Sequence, residues 1–141
     1  MKMLYRILFS DKTPRLLKKA LDLYLQKNSV IASNIANADT PGYKAVDLKF
    51  DEQLQTAIGS GNQLKMKATQ KGHFTSDIEQ IDKIKPTVSE ESDPARPDGN
   101  NVKIEKEMSK LVETQLMYHS IVQAISKRGG ILRYAVGEGK R

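Results

Sequence analysis

Few side chains in this chain could do chemistry. The two histidines are His73, in KGHFTSD, and His119, in a long apolar-periodic stretch near the C-terminus. A metal site on a helix wants a second imidazole or a carboxylate three or four residues away. His119 has Gln115, Met117 and Gln123 around it instead, so packing or surface roles are expected for both histidines. The carboxylates of SEESD (89–93) fall in a loop-forming run, without the pre-organisation that acid–base catalysis needs. IGSGNQ (58–63) has two glycines but neither the strand-to-helix setting nor the lysine–threonine end of a phosphate loop. There is no cysteine, which removes disulfides, thiolate metal sites and thiol nucleophiles. No catalytic residue, metal ligand, cofactor or small-molecule substrate is expected.

Amides are the more telling groups. In SNIANADTPGYKA (33–45), Asn34 and Asn37 sit three apart among small and apolar residues. Each amide both donates and accepts. Two roles are open: tying down the last carbonyls of a helix, or bonding a neighbouring subunit. Pro41-Gly42 suits the centre of a type II turn, with glycine where φ must be positive. Thr40, before proline, is pushed out of helical geometry. Tyr43 is expected to pack where the chain turns away.

Two amphipathic elements must position these residues. From about Pro14 to Ala38, Leu17, Leu21, Tyr24, Ile31, Ile35 and Ala38 share one helical face, with Leu16, Leu23 and Val30 as a neighbouring stripe. Thr13-Pro14 supplies a cap and a first helical residue. The apolar arc is wider than a two-stranded seam and could touch more than one neighbour. From about Val102 to Val136, Ile104, Met108, Leu111, Gln115, Tyr118, Val122, Ile125 and Gly129 form a heptad seam. Asn100 or Asn101 can cap its start. Glu105 and Glu107 suit the first turn, and Lys127 and Arg128 the far end. At 1.5 Å per residue such a helix is roughly 50 Å long. Gly129-Gly130 is a point where it could kink or end.

Residues 44–100 differ in kind. IGSGNQ and SEESDPARPDGNN (89–101) read as loops with little means of burying themselves. QLKMKAT (63–69) alternates as a half-exposed strand does, and DIEQIDKIKPTV (77–88) fits either a short helix or extended chain. The expected fold is mainly α: two long terminal helices packed as an antiparallel hairpin or coiled coil, around a loop-rich, partly β or disordered central segment. The segments are 1–12, a leading tail; 13–43, the first helix and its turn; 44–100, the loose centre; and 101–141, the second helix and tail.

The chain is 38% hydrophobic and 28% charged, lean for a compact globule, so some apolar surface is expected to be completed by other chains. Net charge is +6. A basic helical module that binds nucleic acid or membrane is therefore a second reading. Against it, Lys18-Lys19, Lys103, Lys106 and Lys110 are balanced by Glu105, Glu107 and Glu113. MKMLYRILFS is too short and too interrupted, by Arg6, for a cleaved signal peptide. No stretch approaches the roughly 20 apolar residues of a membrane span.

ASNIANADTPGYK (32–44) resembles the N-terminal signature of the bacterial flagellar axial proteins, the rod and hook family. PDGNNVKIEKEMSKLVETQLMYHSIVQAIS (97–126) is similar to the C-terminal region of the short rod proteins, the proximal kind above its short relative. Lys103, where an acidic residue is common, and Gly129-Gly130, where helix is expected to continue, depart from the pattern. The resemblance implies a structural subunit of the basal-body rod, exported by the flagellar type III apparatus without a cleaved signal. It implies assembly into a tube through both terminal helices, the first with the signature residues Asn34, Asn37, Pro41, Gly42 and Tyr43. Partners would be copies of itself and other rod proteins, the basal-body adaptor, the inner-membrane ring and the export gate, with no nucleic acid. FDEQL (50–54) resembles the export-gate motif, with Phe50 and Leu54 as anchors; an ordinary packing contact is the alternative. Leu4, Ile7 and Leu8 would form a base adaptor, or else lie in a tail that leads export.

Overall fold

The computed structural model describes residues 12–59, 81–91 and 96–138. The elements are α1 (Lys12–Ala36), β1 (Val46–Lys49), α2 (Asp51–Gly59), β2 (Thr87–Glu90) and α3 (Ile104–Glu138). The molecule is mainly helical. Its two long helices pack side by side, antiparallel: Asn34, near the end of α1, bonds Glu107 at the start of α3, and Ile121, further along α3, reaches the cluster that holds Ala20 and Leu23.

Helix α1 ends where its sequence stops supporting it. The Asn37 side chain donates to the Ser33 carbonyl at 2.8 Å, closing the last turn. The Thr40 hydroxyl in turn donates to Asn37 Oδ1 at 3.2 Å. The turn at Pro41-Gly42 forms as expected: Gly42 has φ +74°, and Tyr43 N–H donates to the Thr40 carbonyl at 3.3 Å.

Helix α3 reaches the far end expected of it and departs from expectation only in how it starts. It runs through Gly129 and Gly130 to Glu138 without a break. Two glycines weaken a helix by about 1 kcal/mol each relative to alanine, and good helix formers on both sides carry it through. At the other end Asn100 and Asn101 do not cap it; their side chains bond elsewhere, as described below.

The centre is better built than composition suggested. Strands β1 and β2 pair antiparallel, with Val46 opposite Glu90 and Lys49 opposite Thr87. Thus Ser89 and Glu90, read as loop, are strand, and Ile58-Gly59, also read as loop, ends α2. The ambiguous run 77–88 is helical at Ile81-Asp82 and extended from Thr87. The strand expected at 63–69 lies outside the described residues.

Leu48, Phe50, Leu54, Ala57, Ile81 and Ile84 from this centre join Ala20 and Leu23 of α1 in the main core, flanked by Leu16, Tyr24 and Val30. Burying a side chain such as Phe50 or Leu23 contributes about 1.5–3 kcal/mol. The wide apolar arc of α1 therefore does meet two neighbours, and both belong to its own chain: the centre and α3. A smaller cluster of Ala38, Ala45 and Val102, with Tyr43, closes the end of the helix pair.

Candidate assembly site

Asn34 is wholly buried, at 0% exposure. Its Nδ2 donates to the Val46 carbonyl and to Glu107 Oε2, each at 2.8 Å. Its Oδ1 accepts from Val46 N–H at 3.1 Å and from the Tyr43 hydroxyl at 3.2 Å. Two donors and two lone pairs are all used. One amide thus fastens α1, the signature turn, β1 and α3 together. Asn34 takes neither of the two roles expected of it: its bonds go to β1, the turn and α3 of its own chain, not to the last helix carbonyls, and they leave none of its polar capacity for a neighbour. Asn37 takes the helix-closing role.

Glu107, 1% exposed, carries the network onward. Its other oxygen accepts from Lys110 Nζ at 2.9 Å. Lys110 also pairs with Glu91, just past β2, and Glu91 accepts from Lys106 at 2.6 Å. Burial pushes the Glu91 carboxyl up, but hydrogen bonds and charge from Lys106 and Lys110 outweigh it and hold it below the ordinary carboxylate range. Burial likewise pulls Lys110 down, and its bonds to Glu91 and Glu107 more than restore it, leaving it above the ordinary lysine value.

A second fastening closes the same end. In Arg96–Asn100, Gly99 N–H donates to the Arg96 carbonyl at 2.7 Å and Arg96 N–H to the Asn100 carbonyl at 2.7 Å. With Gly99 at φ +81° this is a tight three-residue hairpin loop. It sits against the signature turn: Gly42 N–H donates to the Asp98 carbonyl at 2.9 Å. Asn100 Nδ2 lies 2.9–3.0 Å from the carbonyls of Asn37, Ala38 and Thr40, and Arg96 donates to the Ala38 carbonyl. These carbonyls belong to the turn that follows the last residue of α1, Ala36. Asn101 joins Ala45 N–H to the Glu91 carbonyl, at 2.7 Å on each side. Asn100 and Asn101 thus cap the exit of α1 and the strand, not the entry of α3. Glu107, Lys110, Glu91, Asn101 and Arg96 were not legible as members of this site. Their signal in sequence is only that Glu107 and Thr114, both buried, stand seven apart, in step with Ile121 on the face of α3 turned to α1.

The apolar residues divide sharply. On α1, Ile31 is buried and Leu17, Leu21, Tyr24 and Ile35 are half-buried. On α3, the seam read from sequence is not the face that meets α1. Leu111 and Tyr118 lie at the edge of that contact, while Ile104, Met108, Val122 and Ile125 are exposed. They are joined in solvent by Val112 (63% exposed) and Leu116 (65%). Between Leu111 and Ser126 the only formally charged residue is Glu113. A helix apolar on so many sides is one that other helices surround.

Phe50 and Leu54 are core residues in the folded chain. The Phe50 ring meets Tyr24 edge-on at 5.1 Å, beneath Lys27 Nζ at 5.4 Å. Leu4, Ile7, Leu8 and His73 lie outside the described residues. His119 is exposed, its ring edge-on to Tyr118 at 5.8 Å. Among the described residues no helix is long and apolar enough to cross a membrane.

The chain is similar to known proteins along most of its length. A family model described as Flagella basal body rod protein matches residues 19–44, which hold α1 from Lys19 onward and the signature turn. Flagellar basal body rod protein FlgB of Aeromonas hydrophila is 32% identical over 135 residues, covering 91% of this chain and 96% of the relative. FlgB of Escherichia coli K12 is 32% identical over 119 residues, 82% of this chain and 86% of the relative. FlgB of Bacillus subtilis 168 is 30% identical over 124 residues, 88% and 92% of the two chains.

Proposed function

The chain belongs to the FlgB family of flagellar basal body rod proteins, and on that premise we propose that it is a self-assembling structural subunit of the proximal rod with no catalytic role. The observation that carries this reading is the exposed, nearly uncharged middle of α3, around Val112, Leu116, Val122 and Ile125. Burying that surface against sister chains and other rod proteins supplies the driving force for assembly. A contact of this kind that repeats without closing on itself builds a tube that can carry torque.

In this reading the polar fastening at Asn34 and Glu107 acts inside each subunit. It sets the angle at which the helix pair and the centre are presented to neighbours. The chain crosses the inner membrane through the flagellar type III apparatus while unfolded. The gate meets Phe50 and Leu54 before folding hides them, and Leu4, Ile7 and Leu8 dock the finished subunit on the adaptor and inner-membrane ring.

The test is Leu116→Asp. The side chain is exposed, so the purified variant keeps wild-type stability to within about 0.5 kcal/mol. Cells carrying it export the protein yet lack complete basal bodies and do not swim. Normal swimming would refute assembly through this face.

A further inference from the structure

We propose that Gly129-Gly130 is a hinge in α3, which lets residues 131–138 take a direction of their own. Neither glycine is explained by packing among the described residues. A Cβ built at either position has nothing within 4 Å, and both are exposed. Neither has the positive φ that accounts for Gly42 and Gly99. What remains is their effect on the helix itself. Consecutive glycines each lower the local helix equilibrium several-fold relative to alanine, and glycine pairs are where helices bend.

Their position gives the bend a use. The antiparallel register that puts Asn34 beside Glu107 and Ile121 near Ala20 carries Gly129 to about the level of Lys12, where the described length of α1 starts. Arg128, just before the pair, is half-buried; of residues 131–137 only Leu132 is. The tip beyond the pair carries Ile131 (69% exposed) and Tyr134 (67%), with Val136 also exposed. An apolar tip on a weak joint can reach a surface that a straight helix would miss. That use rests on the assembly reading, whereas the joint itself is a property of the single chain.

The chain has no cysteine, so spin labels can be placed cleanly at Gln123→Cys and Ala135→Cys, both exposed. Twelve residues of straight helix separate the labelled backbones by about 18 Å. With both glycines present, the purified protein is expected to give a broad distance distribution extending to shorter values. Gly129→Ala with Gly130→Ala is expected to narrow it to the straight-helix distance. In cells, the same double substitution is expected to abolish swimming with the protein still exported. A single narrow distribution in the glycine-containing protein would overturn the hinge. So would a broad one that alanine leaves unchanged, since that is fraying. Normal swimming of the alanine variant would overturn its role in assembly. These outcomes are separate from Leu116→Asp, which tests the assembly face without touching the joint.

Discussion

The side-chain amide of Asn34 donates to the Glu107 carboxylate at 2.8 Å, across the two long helices, with both side chains out of solvent. Asn34→Leu would leave both peptide groups of Val46 and one oxygen of a buried carboxylate short of a partner. The expected loss is about 2–4 kcal/mol, since unsatisfied buried groups cost more than the bonds they lose. Asn34→Asp also removes the donor, and it places a second carboxylate beside Glu107. It should cost more at neutral pH and recover in part on acidification, as one of the two carboxyls takes up a proton. Urea melts at two pH values measure both effects. Losses under about 0.5 kcal/mol for both variants, the level of an ordinary surface change, would show that the fastening holds nothing.

The Glu91–Lys110 pair predicts a stability plateau around neutral pH. The folded-state pKa of Glu91 is lowered, so its contribution is complete above the ordinary carboxylate range and is lost as pH falls through the folded value. The folded-state pKa of Lys110 is raised, so its contribution is complete below the ordinary lysine value and is lost as pH rises through the folded one. Glu91→Gln should flatten the acid limb and cost about 1–3 kcal/mol at pH 7. An acid limb as steep as the wild type's would place the effect in other carboxylates.

Both helices were legible because Leu17, Leu21 and Ile31, or Ile104, Met108 and Leu111, repeat at helical spacing over many turns. The turn at Pro41-Gly42 was legible because its chemistry is local. What was not legible depends on partners far along the chain. Asn100 stands four residues before α3 and reads as a cap, yet its amide bonds carbonyls about sixty positions earlier. Glu107 reads as a charge suited to the start of a helix, and only the approach of Asn34 explains why it is buried. The face that α3 turns to α1 includes Glu107 and Thr114, so a search for apolar period finds the neighbouring, more exposed face. The docking of the centre went unseen for a related reason: Leu48, Phe50, Leu54, Ile81 and Ile84 come from short pieces with no long repeat. The apolar arc of α1, read as wide enough for more than one neighbour, is met by these residues and by α3 of its own chain.

Gly42 and Gly99 should be unequally sensitive to alanine. Both have left-handed φ, +74° and +81°, so a Cβ costs about 1–2 kcal/mol at either position. At Gly42 nothing lies within 4 Å of it, whereas at Gly99 it would stand 3.4 Å from the Gly42 Cα. Gly99→Ala should therefore lower the melting temperature more than Gly42→Ala. Equal shifts would mean that the two turns separate readily to make room.

Phe50 is placed where folding and export can be separated. Phe50→Ala removes a buried ring from the main core and from its edge contact with Tyr24 at 5.1 Å, at an expected cost of about 3–5 kcal/mol. Leu23→Ala empties the same core from the α1 side, at an expected cost of about 2–5 kcal/mol, and leaves FDEQL untouched. If the gate reads Phe50 in an unfolded chain, loss of stability by itself does not hinder export. The amount of each variant in the periplasmic fraction should then differ: near wild type for Leu23→Ala, sharply reduced for Phe50→Ala. Urea melts of the purified proteins supply the matching stability scale. If both variants reach the periplasm as well as the wild type does, Phe50 serves the folded core alone. If both fail equally, export follows stability rather than a motif, and the gate assignment falls.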